Sequence, residues 1–142
     1  DVIAAVLAEQ AINPQRALVG LAELTAWVRR PDWEPILDGF ARCVRITRGA
    51  TSRYPVDPAV FATPQEHALY EAYRQAAQLD ANGNVDAFLS AFVPMLPAVT
   101  AFFDHVMVNV DDPVLRHNRL GLLQAIAGLQ KGRADLSYLS GF

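Results

Sequence analysis

The chain has 142 residues, of which 52% are hydrophobic and 19% charged, and its formal net charge is −3. This composition excludes a disordered segment, because enough apolar surface is available to build a core. A net negative charge is unusual for a stand-alone nucleic-acid binder, so any contact with nucleic acid must come from a local basic cluster.

The single cysteine, Cys43, rules out an internal disulfide and a cysteine-based zinc site. It favours a reducing compartment, and we therefore expect a cytoplasmic protein. The uninterrupted apolar runs fall well short of the ~20 residues that a membrane helix needs, and no signal peptide is visible. Because the first residue is Asp1 rather than Met, we expect a piece of a longer chain.

Helix start signals dominate the N-terminal part. Asp1 can cap a short first helix, and Asn13-Pro14 is a capping residue followed by Pro at the first helical position. The second helix is predicted to bury one apolar face, made by Leu18, Leu21, Leu24 and Val28. Pro31 ends this helix, because the residue before a proline disfavours the helical conformation.

Asp32 can cap the third helix, whose inward face is predicted to carry Ile36, Phe40 and Val44. Residues 50–62 are predicted to form a loop. Thr63-Pro64-Gln65-Glu66 then starts a helix, because Glu66 can reach back to the amide of the capping Thr63. The apolar stripe of this helix is Leu69, Tyr70, Tyr73, Ala76 and Ala77.

Asn82-Gly83-Asn84 separates that helix from the next, which carries Val85, Phe88, Leu89 and Phe92. Pro94 and Pro97 interrupt it before a helix resumes. Asp112-Pro113 opens the last long helix, which ends at Gly132 and contains Gly121 and Gly128, two glycines typical of close helix packing. The inward residues of this helix are Leu115, Leu122, Leu123, Ile126 and Leu129. We predict an all-α single domain over residues 1–142, a bundle of about six or seven helices.

Residues 42–53 contain no acidic residue and four arginines, Arg42, Arg45, Arg48 and Arg53. A spacing of three residues rotates successive side chains by roughly 60°, so the first three spread over one broad helix face. Such a cluster can hold RNA phosphates, and the neighbouring Tyr54 can stack on an unpaired base. The same arginines could instead form a solvated face paired with carboxylates such as Asp38.

No constellation typical of an active site is present. The three histidines, His67, His105 and His117, lack the spacing of a zinc site. Arg116 and Arg119 are expected to be structural, with Arg119 bound to an acidic side chain or to free carbonyls. We predict that the chain has no catalytic residue, no metal site and no cofactor.

Several blocks of sequence occur together in a family-specific order. They are residues 1–7, 33–48, 57–61, 66–72, 102–108 and 116–120, closed by Ala134-Asp135-Leu136-Ser137. In this order they resemble the C-terminal helical anticodon-binding domain of the β subunit of bacterial-type glycyl-tRNA synthetase, the domain family named for an Asp-Ala-Leu-Arg signature. The closing block is the specific part. Where that family often has Lys-Arg and then Asn, this chain has Ala41-Arg42 and Arg45, so individual RNA contacts do not transfer.

The resemblance implies an anticodon-recognition module, a C-terminal fragment that binds tRNA-Gly and contacts the remaining β-subunit domains and the α subunit. Single-stranded bases would be recognised by hydrogen bonds and stacking, with arginines on phosphates. In the family the α subunit activates glycine with ATP. ATP and Mg²⁺ are therefore implied for the parent ligase only, and this fragment is expected to be non-catalytic. The resemblance implies no membrane or DNA partner.

A second hypothesis is a helical protein–protein docking or scaffold domain, in which the arginines and exposed tryptophans, Trp27 and Trp33, meet another subunit. It predicts binding that depends little on the anticodon. An independent small enzyme has only scattered His and Asp residues in its favour. A positive groove joining residues 42–53 to Arg116 or Arg133 would favour RNA, whereas charges neutralised in pairs would favour docking.

Overall fold

The computed structural model describes residues 1–79 and 83–142, and within them the chain forms helices, turns and loops without a strand. The α-helices are α1 Val2–Gln10, α2 Pro14–Val28, α3 Trp33–Thr47, α4 Pro64–Leu79, α5 Val85–Phe92, α6 Leu96–His105 and α7 Pro113–Ala127. The all-α prediction is confirmed. Asn82, predicted to help separate α4 from α5, lies outside the described residues.

Four of the five predicted helix caps are confirmed, among them the capping box of Thr63 and Glu66, and one is wrong. The side chains of Asp1, Asn13 and Asp112 accept hydrogen bonds from first-turn amides at 3.2, 3.1 and 2.9 Å. Asp32 precedes α3 but makes no such bond. Its carboxylate instead pairs with the guanidinium of Arg30, with 2.8 Å between Nη2 and Oδ2, because that arginine lies two residues away on the preceding turn.

The centre of the bundle is aromatic. The ring of Phe40 on α3 meets those of Phe88 and Phe92 on α5 edge to face, with both centroid distances 5.2 Å. Edge-to-face contacts add to the stabilisation from burial alone. Around this cluster α3 packs against α7, α4 packs against α5 and α6, and α1 packs against α2. The residues predicted to face inward on α5 are all buried.

Some sequence predictions about burial are wrong. Leu18 is 68% exposed because the short helix α1 covers only part of α2. Trp27 and Trp33, which the docking hypothesis treated as exposed, are buried. The indole Nε1 of Trp27 donates a hydrogen bond of 2.9 Å to Asp86, so this ring is fixed between α2 and α5 and does not face a partner.

The segment Val85–His105 is long and apolar enough, by length and composition alone, to cross a membrane. An 18-residue window within it has a mean hydropathy of 1.6. The sequence prediction considered only uninterrupted apolar runs and missed this stretch. In the structure it is folded as α5, a 3-10 turn and α6, and 44% of that window is buried. Phe88, Phe92 and Phe102 lie fully inside the protein, so the apolar residues of this stretch form the bundle core.

Helix α1 holds the end of the chain. The amide of Asp135 donates to the carbonyl of Ala5 at 2.8 Å, and Gln10 Nε2 donates to the carbonyl of Arg133 at 2.5 Å. Asp135 Oδ1 accepts from the amide and hydroxyl of Ser137 at 3.0 and 2.6 Å, which stabilises a 3-10 turn over Leu136–Tyr138. The closing sequence block therefore has a structural role. It follows α7, which ends at Ala127 and not at Gly132 as the sequence predicted.

Candidate nucleic-acid interface

One face of α7 holds the loop that carries Arg53 and Tyr54. The side-chain amide of Gln124 accepts from the backbone N–H of Tyr54 at 3.0 Å and donates to the carbonyl of Ser52 at 2.8 Å. Nearly two turns before Gln124 on α7, Asn118 holds a later point of the same loop, accepting from the amide of Asp57 at 2.7 Å and donating to its carbonyl at 3.1 Å. The loop backbone is thus fixed at two points by paired hydrogen bonds.

Gly121 lies between these two amide side chains on the same face, since residues three apart are neighbours on a helix. A Cβ atom at this position would lie 2.5 Å from the carbonyl oxygen of Tyr54. The expectation of close packing at Gly121 is confirmed, although the partner is a loop and not a helix. At Gly128 the expectation is wrong, because no atom lies within 4 Å of a Cβ built there.

Sequence reasoning missed the role of Asn118 and Gln124. The signal was present as an amide, a glycine and an amide spaced by three residues, at 118, 121 and 124, along one face of α7. Such a pattern indicates a backbone segment lying across the helix, because apolar helix faces pack against side chains and do not need paired donors and acceptors.

Three of the predicted RNA-binding residues form what we call the α3 arginine face, made of Arg42, Arg45 and Arg48. The guanidinium carbons of Arg42 and Arg48 lie 4.4 and 5.4 Å from the ring centroids of Phe103 and Phe142. Arg45 Nη2 lies 3.8 Å from Asp38 Oδ1, with both side chains exposed. The pairing with Asp38 that the sequence suggested is therefore present, and it is weak because both groups are solvated.

Arg53 is directed to a different surface, which we call the basic groove. This cavity of about 600 Å³ is lined by Arg53, Tyr73, Lys131 and Arg133 and by smaller residues, and no acidic side chain lines it. Arg133 is held in place, since its Nη1 donates to the carbonyls of Leu129 and Lys131 at 2.8 and 3.0 Å. The groove joins the loop after α3 to the segment after α7, and so links residues 42–53 to Arg133.

A second cavity of about 520 Å³ continues the basic groove, sharing Arg53 and Lys131 with it. Its acidic lining residue is Glu9, whose carboxylate accepts the amide of Gly132 at 3.0 Å. That hydrogen bond ties α1 to the turn between Lys131 and Arg133. The carboxylate is thereby directed to the backbone and helps to position the cationic segment.

Tyr54 lies on the other side of the loop and is half-buried. Its ring stacks on His117, with a centroid distance of 4.2 Å and an interplanar angle of 5°. Both rings line a cavity of about 350 Å³ that also includes Asn109 and Arg116. Arg116 Nη1 donates to the carbonyl of Val110 at 2.8 Å, in agreement with its expected structural role. One face of Tyr54 is thus already covered by a ring of the protein.

Arg119 makes a buried ion pair, as the sequence predicted. Its Nε lies 2.7 Å from Glu66 Oε1, and its Nη1 donates to the carbonyl of Met107 at 2.7 Å. The other carboxylate oxygen accepts from the amides of Ala62 and Thr63 at 2.8 Å. Burial raises the pKa of Glu66, but the hydrogen bonds from Arg119 and these amides outweigh it and hold the pKa below its usual value. This ion pair joins α4 to α7 and has no access to a ligand.

Cys43 and His67 both pack against other side chains of the bundle. Burial raises the pKa of the Cys43 thiol to about 12, which makes it inert as a nucleophile at neutral pH. His67 packs against the ring of Phe61 at 5.0 Å. Among residues 1–79 and 83–142, no group of three His, Cys, Asp or Glu side chains could hold a metal ion.

The chain is similar to part of several longer proteins, although no family model matches it. The glycine–tRNA ligase beta subunit of Halalkalibacterium halodurans is 32% identical over 133 residues, which are 91% of this chain and 19% of the relative. That of Desulforudis audaxviator is 39% identical over 112 residues, 75% of this chain and 16% of the relative. The chloroplastic/mitochondrial glycine–tRNA ligase 2 of Arabidopsis thaliana is 32% identical over 145 residues, 100% of this chain and 14% of the relative. The chain spans about a fifth or less of these curated relatives.

Proposed function

We propose that this chain, which is homologous to one segment of the glycine–tRNA ligase beta subunits, is a tRNA-binding module of such a subunit and recognises the anticodon loop of tRNA-Gly. The observation that carries the proposal is the basic groove of Arg53, Tyr73, Lys131 and Arg133. The parent ligase would join glycine to tRNA in an ATP-dependent reaction whose catalytic groups lie outside this chain. The proposal includes a cytoplasmic location, although the Arabidopsis thaliana relative is chloroplastic/mitochondrial by name.

The local charge of the basic groove can outweigh the net charge of the chain. Cations from two loops converge there without an acidic lining residue, although the chain as a whole has a formal net charge of −3. At ~0.1 M salt, charges separated by more than about 10 Å are largely screened from each other. A phosphate in the groove therefore responds to Arg53 and Lys131 more than to the distant acids.

The loop also suits unpaired bases. Residues 50–53 line the cavity next to the basic groove, and residues 50, 51 and 54 line the cavity with the Tyr54–His117 stack. An RNA strand lying across this loop would have phosphates near Arg53 and aromatic rings on both sides. Aromatic side chains bind splayed bases by stacking, and arginines hold the backbone between them.

The proposal predicts that reversing two charges in the groove weakens RNA binding. We expect Arg53→Glu/Lys131→Glu to bind a tRNA-Gly anticodon stem-loop at least tenfold more weakly at low salt. Two lost phosphate contacts should also reduce the slope of log affinity against log salt by about 1.4–1.8, since each contributes ~0.7–0.9. Fluorescence anisotropy titrations of a labelled stem-loop over a range of salt concentrations measure both quantities.

The matched control is Arg29→Glu/Arg74→Glu, which makes the same change in net charge with two exposed arginines that line none of these cavities. We expect its affinity to stay within about twofold of wild type, because neither arginine lines the basic groove or the cavity that continues it. The variant Arg42→Glu/Arg45→Glu examines the α3 arginine face separately. Equal affinity of Arg53→Glu/Lys131→Glu and wild type would exclude the basic groove as the RNA site. A loss confined to Arg42→Glu/Arg45→Glu would assign binding to α3.

A further inference from the structure

The N-terminal helix pair exposes a concentrated apolar surface. Eight large hydrophobic side chains are strongly exposed in the described part of the chain, and five of them lie between residues 3 and 19: Ile3, Leu7, Ile12, Leu18 and Val19. Three of the five, Ile3, Leu7 and Leu18, line an open cavity of about 410 Å³ between α1 and α2. We call this cavity the α1–α2 cleft. A contiguous exposed apolar surface of this kind marks an interaction site, whereas scattered apolar residues do not.

The lining of the α1–α2 cleft determines the chemistry of its occupant. The residues that line it are leucine, isoleucine, valine, alanine and proline, and none is charged or carries a polar side chain. Such a surface offers nothing to a phosphate or a base edge, which require cations or hydrogen-bonding groups. Apolar side chains of a protein segment can fill it, because burying apolar surface needs no directional partner.

We infer that the α1–α2 cleft binds an apolar segment from the rest of the longer polypeptide to which this chain belongs. The inference rests on the proposed membership in a beta subunit and goes beyond its RNA site. The first reason is length, since roughly four-fifths of the Halalkalibacterium halodurans relative lies outside the matching segment. In such a subunit the other segments are covalently tethered to this module, so they can reach its surface without a separate association step.

The second reason is size. Helix α1 has 9 residues and α2 has 15, so they are about 14 and 22 Å long, and their axes lie roughly 10 Å apart. The footprint is on the order of a few hundred Å², below the ~800 Å² per partner of a stable complex between free proteins. A tethered segment acts at a millimolar effective concentration and can use a smaller surface. This favours a segment of the same polypeptide over a second copy of the chain.

The docked segment would also be linked to the basic groove. Helix α1 forms one wall of the cleft and holds the cationic turn through Glu9, which accepts from Gly132, and Gln10, which donates to the carbonyl of Arg133. A segment bound against α1 therefore fixes the orientation of Lys131 and Arg133 relative to the rest of the subunit. The cleft positions the module, and the groove contacts RNA.

Thiol labelling in the isolated chain and in the full-length subunit tests the inference. Leu18→Cys places a thiol in the cleft, and Met107→Cys places one at a site that is 70% exposed and lies outside it. The native Cys43 is buried and gives a low background. We expect a maleimide to label Leu18→Cys at least tenfold more slowly in the full-length subunit alone than in the 142-residue chain, whereas Met107→Cys labels at the same rate in both. Peptide mass spectrometry identifies the labelled site.

Three results would overturn the inference. Equal labelling of Leu18→Cys in both proteins would show an open cleft. Slow labelling of the 142-residue chain that increases on dilution, together with a dimer in light scattering, would assign the cleft to a second copy. Protection that requires added α subunit would assign it to another protein. Loss of RNA binding in Arg53→Glu/Lys131→Glu is independent of these results, so failure of the docking inference is distinguishable from failure of the proposed function.

Discussion

Replacement of Arg119 by alanine is expected to lower the free energy of unfolding by about 3–5 kcal/mol. The Glu66 side chain is fully buried and the Arg119 side chain is 6% exposed, so removing the guanidinium leaves a carboxylate without its counter-charge inside the protein. The same substitution leaves the carbonyl of Met107 without its donor. Urea denaturation followed by circular dichroism measures the difference between the variant and the wild type.

Arg74→Ala is the matched control for this prediction. Arg74 also pairs with a glutamate, Glu71, but the 3.6 Å contact lies on the surface with both side chains more than half exposed. Exposed pairs of this kind contribute ~0.2–1 kcal/mol or less. Losses of similar size in Arg119→Ala and Arg74→Ala would contradict the conclusion that burial makes the Glu66–Arg119 pair critical.

The pH dependence provides a second control on the same variant. The pKa of Glu66 is lower in the folded protein than its value of about 4.5 in the unfolded chain. The stability that ionised Glu66 contributes is therefore fully present above pH 4.5, and it is lost as the pH falls through the pKa of the folded protein. In Arg119→Ala the hydrogen bond from the guanidinium is gone and burial favours the protonated form. The difference in the free energy of unfolding between wild type and Arg119→Ala should therefore be smaller at pH 4 than at pH 7, as measured by urea denaturation at the two pH values.

The bundle could be predicted from the sequence because its signals are local. The cap at Asn13-Pro14 and the capping box of Thr63 and Glu66 both form as the pattern indicates. The apolar spacing of α5 is equally direct, since all its inward residues are buried. The exposure of Leu18 was not predictable in this way, because helical periodicity defines a face but does not say whether another helix is present to cover it.

The candidate site depends on contacts between distant parts of the chain, and for this reason the sequence prediction assigns only Arg53 of the four side chains that define the basic groove. Arg53 was identified by its place in an acid-free run of arginines. The sequence does not assign Lys131 or Arg133 to the RNA site. It offers Arg133 only as one possible far end of a positive groove that starts at residues 42–53. They join Arg53 only because Gln124 fixes the loop and α1 holds the C-terminal turn. These hydrogen bonds join residues 70 or more positions apart, so the spacing of 118, 121 and 124 on α7 can suggest that a backbone segment lies there but cannot say which segment it is.

Replacement of Gly121 by alanine is expected to destabilise the protein by about 1–3 kcal/mol, although alanine favours a helix over glycine by ~1 kcal/mol. The added Cβ would lie 2.5 Å from the carbonyl oxygen of Tyr54, so the loop backbone must move away from α7. That movement strains the hydrogen bonds from Gln124 and displaces Arg53. Urea denaturation measures the stability, and titration with the anticodon stem-loop should show weaker binding by the folded variant.

Gly128→Ala is the internal comparison, because it makes the same chemical change near the end of the same helix. Gly128 has a helical φ of −68°, and its added Cβ would meet no atom within 4 Å. The helix preference of alanine then acts without a clash, and the protein should be stabilised by up to ~1 kcal/mol. Opposite signs for the two substitutions would show that the loop presses on α7 at Gly121. A stabilising effect of Gly121→Ala would mean that the loop carrying Arg53 and Tyr54 is free to move away from α7. A fixed geometry of the basic groove could then no longer explain RNA binding.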